Sequence, residues 1–127
     1  MNKIQTNLSY LGPSGTYSEE AALIFKEQNE QLLIPQKTIF DVLESIETSK
    51  IDQGIVPIEN SRVGTILETL DYLINSKNLY INKEIFLPIE ACLITKKEMK
   101  DLSNLKQIIS KPEAINQSNE KINSKEQ

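Results

Sequence analysis

Apolar and polar positions along this chain change period several times, and each change marks an element. Leu8–Gly12 (LSYLG) is a short apolar run that reads as a buried strand, and PSGTYS follows it as a turn. The next stretch, EEAALIFKEQN, carries a helical pattern, with Ser18 as its expected N-cap and two acids in its first turn. Leu32–Gln36 reads as a second strand, where Pro35 argues for a sheet edge or a strand end. Thr38 and Asp41 have the spacing of a capping box and open a helix with Ile39, Val42, Leu43 and Ile46 on one face. Gln53–Ile58 is the third strand, and Thr65–Asn75 the third helix, its apolar positions Ile66, Leu70, Leu73 and Ile74 falling at i, i+4, i+7 and i+8. LYINKEIFLPIEACLITKK is extended, β-branched sequence over roughly twice a usual strand length, expected as two strands or one long bent one. LKQIIS reads as another strand. KPEAINQSNEKINSKEQ begins like a helix, but after Ile115 only Ile122 is apolar and the helical stripe fades.

Strands alternating with helices at these spacings mean βαβ units and a mostly parallel sheet. In such sheets ligands bind beyond the carboxyl ends of the strands, near helix N-termini. Two unusual turns, GPSGTYS and ENSRVG, fall at that position. The first offers glycines, hydroxyls and N–H groups at a helix start, an anion cradle by type, although taken alone a turn plus an N-cap is its simpler reading. It lacks the Lys-Ser/Thr ending of a phosphate-binding loop and does not follow the GxGxxG pattern. The second sets a carboxyl, an amide and a hydroxyl side by side (Glu59, Asn60, Ser61), more than a connection or a cap requires. Ser110-Lys111-Pro112-Glu113 reads as a capping box with Pro in the first turn. Cys92, in an apolar run, reads as a small core residue.

Composition narrows the chemistry. With 127 residues the chain has room for one modest domain with a core. A net charge of −4 and no basic stripe argue against a nucleic-acid partner. The single cysteine excludes an internal disulfide and fits a reducing compartment. MNKIQTNLSYLGPSG lacks the apolar stretch of a signal peptide, and no run reaches membrane-spanning length, so the expected address is the cytoplasm, with no membrane partner. Histidine is absent, which removes Ser-His-Asp and Cys-His catalysis and His-ligated zinc. Carboxylates, hydroxyls, amides, Lys/Arg and helix ends remain.

Four segments taken together resemble prephenate dehydratase. YLGPSGTYSEEAA is similar to the family's opening motif, and GIVPIENSRVGTILETLDYLI to its central motif almost throughout; EIFLPIEACLI and IISKPEAINQS match two later segments more loosely. The resemblance implies an α/β fold of the type II periplasmic-binding-protein kind, with the substrate between two lobes. It covers a first lobe at about residues 1–88 and the start of a second at about 89–127, leaving the second lobe incomplete. The family's Thr-Arg-Phe segment and ACT domain have no counterpart in the chain, and the Thr of that segment is catalytic in the family. Within the matched part, Ala91 stands where the family usually has His, Ser110-Lys111-Pro112-Glu113 where it has Ser-His-Pro-Gln, and Ser118 at a usual Cys.

The activity implied is conversion of prephenate to phenylpyruvate, carbon dioxide and water, with neither cofactor nor metal. On this resemblance Thr16, Tyr17 and Ser18 receive a substrate carboxylate at a helix start. Asn60, Ser61 and Thr65 donate from the central motif, with Gly64 among its substrate-contacting positions, and Ser110 and Gln117 contact substrate from the other lobe. Asn60 and Glu59 are the catalytic candidates. Glu59 is either neutral and donating or a structural acceptor turned away. Three classes follow: a dehydratase impaired in this chain, a non-catalytic module binding a small dicarboxylate, and an interaction fragment. The absent Thr-Arg-Phe segment weighs against an active monomer. Uncovered CLITKK and LKQIIS strands would favour association, including with a second copy.

Overall fold

The computed structural model of the chain describes residues 6–26, 30–98 and 101–118. Its contacts divide it into two compact units, Met1–Leu87 and Pro88–Gln127.

The first unit is built on three parallel strands, β1 (Thr6–Leu11), β2 (Gln31–Gln36) and β3 (Gln53–Ile55), in the order β2-β1-β3. Helix α1 (Tyr17–Lys26) links β1 to β2, and α2 (Ile39–Glu47) links β2 to β3. Because the second crossover returns past β1, two right-handed crossovers must lay their helices on opposite faces of the sheet. Side chains show that they do. Leu8 and Tyr10 of β1 pack with Ala22 of α1, joined by Phe25, Leu33 and Ile55. Ser9 points the other way, and its hydroxyl meets that of Ser45 on α2 at 3.2 Å. Leu8, Ser9 and Tyr10 are therefore all buried, the pattern of a central strand covered on both sides.

The edge position of β2 accommodates Pro35, as its sequence suggests. Thr38 caps α2, its Oγ1 accepting the Asp41 N–H at 3.0 Å. The α1 cap is Thr16 rather than Ser18. Thr16 Oγ1 accepts the Glu19 N–H at 3.3 Å, and Ser18 lies inside the first turn.

Beyond β3 the expected strand stops at Ile55, and a small antiparallel hairpin follows, β4 (Glu59–Asn60) with β5 (Gly64–Thr65). The Ile66 N–H donates to the Ile58 carbonyl at 2.9 Å and continues that pairing, so α3 begins only at Leu67 and runs to Asn75. Its inner face also differs from the apolar stripe. Thr69 is fully buried while Leu70 and Ile74 are exposed, because the Thr69 hydroxyl donates to the Pro57 carbonyl at 2.7 Å. Helix α3 also packs on α2. The Phe40 and Tyr72 rings meet edge to face at 5.4 Å, the Tyr72 hydroxyl donates to Glu44 at 2.6 Å, and the Ser76 hydroxyl donates to Glu47 at 2.6 Å.

Residues 79–97, expected as one or two strands, form no regular element, and neither does 105–110. β-Branched sequence favours a pleated, half-buried surface and does not create one; a strand needs a neighbour to complete its ladder. No described segment pairs with these residues. In the second unit Cys92 is accordingly exposed rather than a core residue, and Ile94 and Ile109 are largely bare. A 3-10 turn (Leu102–Asn104) is capped by Asp101, whose Oδ1 accepts the Ser103 N–H at 2.9 Å. Helix α4 (Pro112–Gln117) opens with Pro at its start. Lys111, not Ser110, holds the cap position, and no side chain caps it, so Ser110 is exposed ahead of the helix. The faded tail after Ser118 lies outside the described residues.

Candidate functional site

β1 and β3 are neighbouring parallel strands, so the segments leaving their carboxyl ends emerge from the same edge of the sheet. Those segments are Gly12–Ser18 and the path from Val56 into Glu59-Asn60-Ser61. This is the edge at which an α/β sheet offers N–H groups and helix starts to a ligand.

The turn after β1 is tightly built. The Gly12 N–H donates to the Gln36 carbonyl at 2.8 Å, and a Cβ on Gly12 would stand 3.0 Å from that of Pro35. Beside it an open cavity of about 410 Å³ is lined by Gly12, Pro13, Ser14, Pro35, Gln36 and Lys37. Gly15 has φ +87, a conformation that glycine adopts without the Cβ penalty. Thr16 closes the turn, its hydroxyl donating to the Pro13 carbonyl at 3.0 Å. The first backbone bond of α1 runs from Glu20 N–H to Thr16 C=O at 3.2 Å. The N–H of Ser18 thus lies ahead of the helical ladder, at the positive end of the helix dipole. Tyr17 is 40% exposed and Ser18 half-buried.

Sequence reasoning missed the group at the centre of this turn, the Glu19 carboxylate. Its Oε2 accepts from the Ser14 hydroxyl and from the Tyr10 hydroxyl at 2.9 Å, and its Oε1 accepts the Gly15 N–H at 3.3 Å. These donors, Ser14 first, hold the Glu19 carboxyl below the usual carboxylate range. Burial, then the Glu19 carboxylate, pushes the Tyr10 phenol up. A signal existed in the sequence: Thr16 and Glu19 stand at capping-box spacing, three residues apart. The cap bond forms, but the acid reaches back past Thr16 to Gly15.

In the hairpin, Asn60 is half-buried, and its Oδ1 accepts the Arg62 N–H at 2.9 Å across the turn. That bond engages the acceptor end of the amide, Oδ1, and not its Nδ2 donor end. Gly64, at φ +85, lets the three-residue turn Ser61–Val63 close without strain. Pairing Glu59 with Thr65 and Asn60 with Gly64 has a chemical consequence. Opposed residues share a face and consecutive ones alternate, so Glu59 and Thr65 lie on one side of the ribbon and Asn60 on the other. The adjacent residues Glu59 and Asn60 are therefore not one cluster. Glu59, Ser61 and Thr65 are exposed. In the second unit, Ser110 precedes α4 and Gln117 ends it.

Comparison with known proteins covers both segments. The prephenate dehydratase family model matches residues 8–127. The chain is 36% identical over 113 residues to a bifunctional chorismate mutase/prephenate dehydratase of Buchnera aphidicola subsp. Schizaphis graminum, covering 87% of this chain and 29% of that protein. It is 30% identical over 112 residues to a prephenate dehydratase of Amycolatopsis methanolica, covering 88% and 36%. Its fold is similar to the X-ray structure of prephenate dehydratase from Streptococcus mutans, with a TM-score of 0.54 and 34% identity over 58% of this chain and 38% of that one. The chain thus spans about a third of the length of these relatives.

Proposed function

From the premise that this chain belongs to the prephenate dehydratase family, we propose that it carries the substrate-anchoring part of a site that converts prephenate to phenylpyruvate, carbon dioxide and water. The observation that carries this reading is the common origin of the Gly12–Ser18 turn and the Asn60 hairpin at the carboxyl edge of adjacent strands, both inside the matched region.

In the reaction the bond from the ring to its carboxylate breaks, and that electron pair enters the ring. The ring hydroxyl leaves from the opposite carbon, takes up a proton and departs as water. Aromatisation drives both cleavages, so the protein's task is to fix the dianion and hydrogen-bond the departing oxygen. The Ser18 N–H, at the positive end of α1, and the first-turn side chains of Thr16, Tyr17 and Ser18 suit a carboxylate. The Asn60 Nδ2 group, with its amide held by Arg62, suits the departing hydroxyl or the second carboxylate. Gly64 pairs with Asn60 and Ser61 follows Asn60 in the turn, whereas Thr65 shares the Glu59 side of the ribbon and is assigned to substrate by family resemblance alone. Glu59 falls on the other side of the ribbon and serves as a hairpin residue rather than a proton donor. Ser110 and Gln117, both in the second unit, are assigned to substrate by family resemblance alone. Prephenate is the substrate for which the relatives are named, and the compartment proposed is the cytoplasm.

Calorimetry with prephenate, paired with phenylpyruvate absorbance in alkali, tests this. The expected result is binding that Asn60→Ala weakens, with turnover far below that of the longer relatives. Removing one positioned donor typically costs about two to three powers of ten in rate. Absence of prephenate binding by the folded chain would end the proposal. Binding unchanged in Asn60→Ala would remove Asn60 from it.

A further inference from the structure

We propose that Glu19 is a built-in ligand of the β1–α1 turn: its carboxylate fills, from within the chain, the position that the turn's own donors prepare for an anion. Three donors from three different residues converge on it, the Tyr10 hydroxyl, the Ser14 hydroxyl and the Gly15 N–H. Both carboxylate oxygens are engaged. Tyr10 is 2% exposed, so its hydroxyl is delivered from the core rather than from a mobile surface side chain. The Gly15 N–H is aimed by a left-handed backbone conformation at a point where nothing approaches the missing Cβ within 4 Å. The arrangement is a carboxylate receptor already holding a carboxylate.

An acid in the first turn of a helix ordinarily reaches the N-cap N–H or stands in solvent. Glu19 does neither, and bridges the buried strand to the apex of the turn. Its depressed titration agrees with a charged, multiply bonded group. The consequence is one of specificity. An external carboxylate approaching this edge does not find Ser14 and Gly15 vacant, and is received further along, at the start of α1. That consequence rests on the prephenate reading; the filling of the turn by Glu19 does not.

The experiment uses the full chain with acetate as probe and an equal concentration of chloride as control. In the wild type, acetate leaves the Gly15 amide resonance where chloride leaves it. In Glu19→Ala, acetate shifts the Gly15 resonance saturably and raises the Tm progressively with its concentration, as linkage requires for a ligand of the folded state. A wild-type Gly15 resonance that moves with acetate, or a folded Glu19→Ala chain that answers acetate and chloride alike, overturns the proposal. Should Glu19→Ala not fold, Glu19→Gln decides, since it keeps the shape and removes the charge. The Gly15 amide resonance then moves, and Tyr10 ionises at lower pH than in the wild type. If Gly15 and Tyr10 are both unaltered in Glu19→Gln, the carboxylate is not the turn's ligand.

Discussion

Replacing Gly54 by alanine adds a single methyl group at the point where α2 lies closest to the sheet. Gly54 lies in β3 and pairs with Ser9 of β1. A Cβ built there would be 2.4 Å from Ile46 Cδ1, 3.0 Å from Ser9 Oγ and 3.0 Å from Val42 Cγ1. Its φ is not in the left-handed region, so the penalty is steric rather than conformational. Ile46 Cδ1 ends a flexible side chain and can turn away only by leaving its rotamer, at about 1 kcal/mol. Val42 and Ser9 are fully buried and have nowhere to go. Overpacking of this kind costs about 1–3 kcal/mol. Ser45 donates its hydroxyl hydrogen to the Val42 carbonyl at 2.6 Å, so Ser9 must be the donor to Ser45; displacing Ser9 forfeits about 1 kcal/mol more. Restricting the unfolded chain returns about 0.4–1 kcal/mol. The expected net loss is about 2–3 kcal/mol. Urea unfolding, followed by ellipticity and by tyrosine fluorescence in a chain without Trp, should show the midpoint falling by about 1–2 M with m unchanged. The double variant Gly54→Ala/Ile46→Val removes the nearest atom and should recover about 1 kcal/mol relative to additivity. A Gly54→Ala chain within about 0.5 kcal/mol of the wild type, or a strictly additive double variant, would refute this close packing of α2 on β3.

Two further outcomes are expected. Thr69→Val keeps the shape of a fully buried side chain but strips the Pro57 carbonyl of its donor, costing about 1–3 kcal/mol, and hydrogen exchange at Ile66, which closes the hairpin, should accelerate; unchanged exchange would disconnect α3 from the Asn60 turn. Burial, then the Glu44 carboxylate, pushes the Tyr72 phenol up from 10.0 to about 12. The folded state therefore prefers the neutral phenol: that stabilisation is complete below pH 10 and disappears as the pH rises through 12, so stability should decline across that window and decline less in Tyr72→Phe. Equal alkaline limbs for the two chains would show that Tyr72 does not make the Glu44 bond.

Much of the first unit was legible in local sequence. The β1, α1, β2, α2 order follows from period changes and punctuation by Gly, Pro, Thr38 and Asp41, because capping and strand burial are set by neighbours a few residues away. The two polar turns announced the sheet's carboxyl edge for the same reason. The βαβ spacing implied a mostly parallel sheet with right-handed crossovers; that β1 is central, and so buried between α1 and α2, was decided by the strand order of the folded sheet.

Other features needed the folded chain. Residues 79–97 and 105–110 look like strands, yet β-structure is completed by hydrogen bonds to a second segment, and no local pattern reveals whether that partner is present. Thr69 displaces Leu70 from the buried side of α3 because a carbonyl twelve residues earlier accepts its hydroxyl. Glu59 and Asn60, neighbours in sequence, separate because the pleat sends them to opposite faces once β5 fixes the register. Glu19 reads as an ordinary first-turn acid until β1 brings the Tyr10 hydroxyl to it from nine residues away. In sequence the chain announces its elements and where chemistry would gather; which side chains face one another there is decided by contacts that only tertiary structure creates.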